Sequence, residues 1–281
     1  KKLVSTFVFI SFLLANALSI VCFAPPSQPE HIFLLAGQSN MVGRGGVHEE
    51  AGHRLVWNGI VPEEFKPNDS IMRLDVDMNW VEAEEPIHAG IYKIQPVTGL
   101  GPAMPFAKGI LERNPSYGTI GLVPCALDGS SISRWQRGRY VYGNLTTRAE
   151  AAVKSGGKME ALLWWQGGAD SDNIDKARKY KEDLTKFFQD IRADLKLPKL
   201  LIIQVVIPPG RKPFTGIVRE AQLSLNVPNV ENVNPHVLPL EADGIHVTAQ
   251  AQVTVGKLLS NKFLEVTSKK TTTQVCGFPF S

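Results

Sequence analysis

The chain has 281 residues, 43% of them hydrophobic and 20% charged. That length suits one α/β domain, and the balance excludes a disordered chain while leaving enough apolar mass for a large core. Lys1 and Lys2 carry two of the three excess positive charges, so the chain from residue 25 onward sums to +1, which removes any electrostatic reason to seek nucleic acid or an acidic membrane.

Lys1 and Lys2 precede an uncharged apolar run, Leu3 to Ala24, that ends in small residues before Pro25-Pro26. A basic start, an apolar stretch and a small residue before a break predict a secretory signal over residues 1–24, cut near Ala24. The run is also long enough to span a bilayer, so a membrane anchor is the alternative. With the signal removed, a secreted, extracellular protein with no stable membrane association is expected, its folded domain over residues 25–267 and a loose tail over 268–281. Cys22 would leave with the signal. Cys125 and Cys276 are then either a disulfide, which an oxidising compartment permits, or two free thiols. Asn68-Asp69-Ser70 and Asn144-Leu145-Thr146 are glycan acceptor motifs for a secreted chain.

Four short apolar runs follow in chain order: His31–Gln38, Thr119–Leu127, Ala161–Gln166 and Leu200–Pro208. None alternates with polar residues, which is the pattern of strands buried on both faces of a parallel sheet. Helical patterns fit Pro105–Arg113 and Arg148–Lys154. The clearest is Ala177–Leu197, where Tyr180, Leu184, Phe187, Phe188, Ile191 and Leu195 form one stripe and Pro198 supplies a stop. A last helix is predicted over Ala249–Val266, with Thr248 as N-cap. Residues 44–100 lack periodicity and read as a long decorated loop region. Strands alternating with helices imply a doubly wound α/β sheet, with the active crevice beyond the carboxyl ends of its strands.

The residues after each apolar run therefore carry the chemistry. Gly37-Gln38-Ser39-Asn40 places a serine on a tight turn after the first strand; a free hydroxyl is a poor nucleophile and needs a base. Asp243-Gly244-Ile245-His246 supplies one near the other end of the chain: a carboxylate three residues before a histidine can hold one ring nitrogen and leave the other to take the serine proton. Taken singly, a serine can merely cap a turn and Asp-Gly is a turn signal, so the two segments inform only together. Gly129, after the second run, and Gln166, at the end of the third, place a backbone N–H and a side-chain amide where they can join the Ser39 N–H around a developing oxyanion, each such donor being worth roughly 3–4 kcal/mol. Glycines there also serve plain strand-to-helix turns.

Leu35-Ala36-Gly37-Gln38-Ser39-Asn40-Met41, Gly121-Leu122-Val123-Pro124-Cys125-Ala126, Leu163-Trp164-Trp165-Gln166-Gly167 and Asp243-Gly244-Ile245-His246 together resemble the blocks of the SGNH-hydrolase carbohydrate esterases. More narrowly they resemble the plant carbohydrate esterases related to sialate O-acetylesterase and acetylxylan esterase. The resemblance covers roughly residues 30–266 and includes Leu100–Ala107 and Arg219–Gln222. It implies a flavodoxin-like three-layer α/β/α sandwich with a parallel sheet, no metal or other cofactor, and removal of acetyl groups from an acetylated carbohydrate through an acyl-enzyme. Ser39 matches the nucleophile, His246 the base, Asp243 its partner, and Gly129 and Gln166 the oxyanion-hole positions. A monomer is expected.

Two positions depart from the family pattern. Gly168 stands where a glutamate is usual, and Asp128 where a second glycine is common before Gly129. An extra carboxylate beside the oxyanion hole would repel the developing charge unless paired, and losing the glutamate would loosen the loop that holds Gln166. A disabled, carbohydrate-binding relative and a general lipid or ester hydrolase of the same fold are thus the alternative readings. His48-Glu49-Glu50-Ala51-Gly52-His53 resembles a zinc-protease motif, but its histidines are five apart rather than four. Gly43-Arg44-Gly45-Gly46 and Gly156-Gly157-Lys158 lack phosphate-loop spacing.

Overall fold

The computed structural model describes residues 28–275 apart from 95, 96, 155 and 211; the predicted signal over 1–24 and Cys276 lie outside the described residues. The first strand, β1 (His31–Gly37), sits at the centre of the sheet and is buried along its length after His31. A one-turn helix, α1 (Ser39–Val42), follows it directly. Four further strands come next: β2 (Val47–Glu50) and β3 (Arg54–Trp57), which form a separate antiparallel hairpin, then β4 (Ile71–Leu74) and β5 (Trp80–Glu82). The remainder alternates: α2 (Ala103–Arg113), β6 (Ile120–Pro124), α3 (Tyr140–Val153), β7 (Lys158–Trp165), α4 (Ile174–Asp194), β8 (Leu201–Val205), α5 (Thr215–Leu223), β9 (Val230–Val233) and α6 (Ala249–Val275).

The main sheet has the order β5-β4-β6-β1-β7-β8-β9. All pairs are parallel except the edge pair β4–β5. Successive side chains along β1 point to opposite faces, and the core divides accordingly. Ile32, Leu34 and Ala36 pack with Trp164, Trp135, Phe187 and Phe188 beneath α3, α4 and α5; Phe33 and Leu35 pack with Trp165, Phe106, Leu259 and Phe263 beneath α2 and α6. The result is the expected three-layer sandwich. After β6 the chain crosses from one side of β1 to the other to lay down β7, so the sheet switches direction at β1, and a crevice opens at the carboxyl ends of the strands on either side of such a point.

Most predicted elements agree with the structure to within a few residues, and three do not. Residues 44–100 are not all loop: β4 and β5 belong to the main sheet. Both are too short, at four and three residues, for periodicity to show. The second crossover helix begins at Tyr140, eight residues before the expected Arg148, whose inward-facing charge interrupts the apolar periodicity that would have marked the longer helix. Arg148 is 1% exposed, and its guanidinium donates to the carbonyls of Pro124, Leu74 and Asp75 at 2.8, 2.6 and 3.0 Å, tying β6 to the turn after β4. The last helix runs on to Val275, past the tail boundary expected at 268. At its start the Thr248 hydroxyl accepts from the Ala251 N–H at 3.3 Å, the expected cap.

Candidate active site

The site begins with a close approach of two strands. Gly37 ends β1 with φ +139°, and a methyl built on it would lie 2.2 Å from the Trp165 carbonyl oxygen. Glycine thus lets β1 and β7 stay in register to their ends while the chain turns sharply. The Gln38 N–H donates to that same Trp165 carbonyl at 2.9 Å, and the Gln38 carbonyl accepts from Met41 and Val42 to start α1. Ser39, the first residue of α1, is 4% exposed and lines a cavity of about 200 Å³ at the sheet's edge.

The second segment is a turn fixed by its own acid. Asp243 Oδ1 accepts from the N–H groups of Ile245 and His246 at 2.8 and 2.9 Å, and Oδ2 meets His246 Nδ1 at 2.5 Å. Burial alone would raise the Asp243 carboxyl; the two N–H donors and the imidazole outweigh it and hold the group below its ordinary value. Nδ1 engaged with the carboxylate leaves Nε2 for other chemistry. The turn is clasped to the Ser39 turn by Asn40, whose side-chain oxygen accepts from the Val247 N–H at 3.2 Å and whose carbonyl accepts from Gln252 Nε2 at 3.1 Å. Glu241 adds a third tie, accepting from the Gly46 N–H at 2.9 Å. The residue after Ser39 is therefore bonded to the residue after His246.

Gly129 sits on the other side of β1, in an exposed loop after β6, with φ +60° and open space where a Cβ would be. Among the described residues no acceptor takes the N–H of Ser39 or of Gly129. Gln166 differs. Its Nε2 donates to the Ser130 carbonyl at 3.0 Å and to Asp170 Oδ2 at 2.5 Å, so both amide protons are engaged and the side chain stands as a strut between two loops, not as the free donor expected from sequence. Burial pushes the Asp170 carboxyl up to about 6, against the hydrogen bonds from Gln166 and the Ile132 N–H that pull it down. Between its ordinary 3.8 and about 6 the native state holds a proton that the unfolded chain has released. Asp170's contribution therefore favours the fold below pH 4 and declines as pH rises through about 6. Urea unfolding of Asp170→Asn is expected to show a flatter dependence of stability on pH across that window; an unchanged slope would assign it to other groups.

The two departures are each accommodated. Asp128 is paired: Arg44 Nη2 donates to its Oδ2 at 2.9 Å, and Arg44 Nη1 to the Val97 carbonyl at 3.1 Å. Arg44 is 5% exposed and Asp128 19% at their side chains, so the carboxylate beside Gly129 faces a buried cation. Arg44→Ala is expected to cost about 2–3 kcal/mol in urea unfolding, below the range for fully buried pairs because Asp128 retains some water. Arg44→Ala/Asp128→Ala should lose less than Arg44→Ala alone, and a double loss equal to the sum of the Arg44→Ala and Asp128→Ala losses would show that the charges are uncoupled. At Gly168, the place of the missing glutamate is bridged from two sides. Gln38 Oε1 accepts from the N–H groups of Gly167 and Ala169, both at 3.1 Å, and Lys212 Nζ donates to the Gly168 carbonyl at 2.7 Å.

The comparisons with known proteins point one way. The family described as carbohydrate esterase, sialic acid-specific acetylesterase, matches residues 29–265. The chain belongs to this family. It is 43% identical over 241 residues to a probable carbohydrate esterase of Arabidopsis thaliana, covering 85% of this chain and 92% of that one. The crystal structure of that Arabidopsis protein superposes with a TM-score of 0.81 at 42% identity, over 84% of this chain and 98% of the other. The structure of NanS shares the fold, with a TM-score of 0.68 at 16% identity, over 88% of this chain and all of that one. So does a carbohydrate acetylesterase from Xanthomonas citri, at 0.55 and 17%, over 82% and 55%.

Against that family background, four residues that position the site escaped the sequence reading. Asn40 and Gln38 flank Ser39 and look like ordinary turn residues. Arg44 stands inside a glycine-rich stretch, Gly43-Arg44-Gly45-Gly46, and Asp170 follows the loop that lacks the family's glutamate. An inward-facing charge is invisible to periodicity; a lone arginine among glycines next to the serine turn was the one available signal. Trp164 and Trp165 are 0% and 1% exposed, core residues of opposite sheet faces. His48 and His53 lie on the β2–β3 hairpin, not on a helix. Cys125 is a fully buried free thiol. Asn68 is exposed in a turn, whereas Asn144 is half-buried in α3 and accepts from Tyr92.

Proposed function

We propose that this member of the carbohydrate esterase family is a serine hydrolase that removes acyl groups, acetyl among them, from carbohydrate hydroxyls. The observation that carries the reading is the Asn40 clasp, which bonds the serine turn to the histidine turn across 207 residues of chain. Ser39 Oγ attacks the ester carbonyl while His246 Nε2 takes its proton, and Asp243 holds the ring through Nδ1 and stabilises its cation. The N–H groups of Ser39 and Gly129 receive the oxyanion. The ester C–O bond breaks, His246 gives its proton to the departing sugar oxygen, and the acyl group stays on Ser39. Water then adds to the acyl carbon, losing one proton to His246, and as the Ser39–acyl bond breaks to release the carboxylic acid, His246 returns that proton to Ser39 Oγ.

The pairing of Asp128 and the bracing of the Gly168 loop favour this reading over a disabled binding protein. Export through the signal at 1–24, and an extracellular acetylated polysaccharide or sialic-acid-like sugar as substrate, complete the proposal. The experiment is acetate release from acetylated xylan, pectin and sialic acid, run beside labelling by a fluorophosphonate. Release from one of them with labelling at Ser39 supports the reading. Sugar binding with neither release nor labelling would establish the binding-protein alternative.

A further inference from the structure

The cavity beside Ser39 is larger and more apolar than acetyl chemistry requires. Its volume is about 200 Å³, whereas one water-sized group fills roughly 30 Å³, so the methyl of an acetyl group would occupy a small part of it. The cavity lies on the β7–β8 side of Ser39, and its lining includes neither Asp128 and Gly129, which follow β6, nor Arg44, which pairs with Asp128. Its walls are Ile207, Pro208 and Pro209 after β8 and Leu240 and Ile245 ahead of α6. Leu240 and Ile245 are 38% and 62% exposed, so the apolar surface continues outward over the rim.

Each polar side chain that lines the cavity, Ser39 apart, has an atom engaged within the fold. Gln38 Oε1 braces the Gly167–Ala169 loop, Asn40 Oδ1 holds Val247, and both Gln166 amide protons are engaged. Lys212 donates to the Gly168 carbonyl, and the Thr215 hydroxyl donates to the Lys212 carbonyl at 2.9 Å. A sugar ring carries a hydroxyl on nearly every carbon, and burying those without partners is costly. An alkyl chain needs only the apolar wall.

We infer that this cavity is an acyl pocket and that the enzyme takes esters of straight-chain acids longer than acetate, of about four to six carbons, with the sugar left at the solvent side. The inference rests on hydrolysis at Ser39 as proposed above and uses the same steps, with a longer acyl group on the serine. Each methylene moved from water into the pocket is expected to raise kcat/KM about fourfold.

The test is kcat/KM for p-nitrophenyl acetate, butyrate and hexanoate with the full chain and with two variants that fill the cavity from opposite walls, Leu240→Trp and Pro209→Trp. Both positions are exposed, so either variant serves if the other folds poorly. The expected result is a rise from acetate to hexanoate in the unmodified protein and a lower ratio of hexanoate to acetate kcat/KM in at least one variant. A flat or falling series in the unmodified protein, with acetate still hydrolysed and Ser39 still labelled, overturns the acyl pocket and leaves the esterase standing. A rise that both variants retain places the chain elsewhere and overturns the pocket as well. No hydrolysis of any of the three takes down both readings.

Discussion

Replacing Ser39 by Ala is expected to lower kcat for p-nitrophenyl acetate by about 10⁴- to 10⁶-fold, the scale on which serine hydrolases lose rate when the nucleophile is removed. What remains comes from the Ser39 and Gly129 N–H groups, which Ala keeps on the backbone. Stability should barely change, by no more than about 1 kcal/mol, because among the described residues nothing accepts from the Ser39 hydroxyl and α1 is held by the Gln38 carbonyl instead. Melting curves beside the kinetics separate the two effects. Full activity in the variant would remove Ser39 from the chemistry; a lost activity accompanied by a collapsed melting curve would mean that the hydroxyl holds the fold.

Gly37→Ala is expected to act through the backbone, costing about 3–5 kcal/mol, the range of the severest single changes. The added methyl would sit 2.2 Å from the Trp165 carbonyl oxygen and 2.7 Å from its carbonyl carbon. Neither is the flexible end of a side chain, so β1 and β7 must part, and φ +139° is itself a conformation that alanine avoids. Parting them moves the Gln38 N–H away from Trp165 and with it the start of α1. The variant should therefore lose stability and esterase rate together, measured by urea unfolding and p-nitrophenyl acetate turnover. A variant as stable as the parent would show that the strand ends yield at little cost.

How much of this was legible in the sequence depends on whether a residue's role is local. The four long buried strands announce themselves because a strand covered on both faces is continuously apolar. α4 does so because its stripe repeats over 21 residues with Asn173 capping the N–H groups of Asp175 and Lys176 at its start. β4, β5 and β9 do not, being three or four residues long and depending on neighbours that pair with them from afar. At the site, the spacing of Asp243 and His246 is a local device that can be read from the chain. Gln166 shows the opposite case: its type and position suggest a donor aimed at the oxyanion, and only Ser130 and Asp170, 36 residues before it and four after, decide where its protons go. Asp128 is likewise a threat to the chemistry in the sequence and a paired group in the fold, since Arg44 lies 84 residues away.

The Asn40–Val247 clasp has a consequence for how the protein comes into being. On the proposed chemistry the nucleophile, Ser39, is synthesised long before its base, His246, with α6 still to follow and to press Gly256 against Pro102, Pro105 and Phe106 at the start of α2. On that reading a nascent chain carries an inert serine until residue 246 has emerged, and a message cut short before it yields a silent product instead of an indiscriminate hydrolase. Competence then waits for the second turn and the helix behind it.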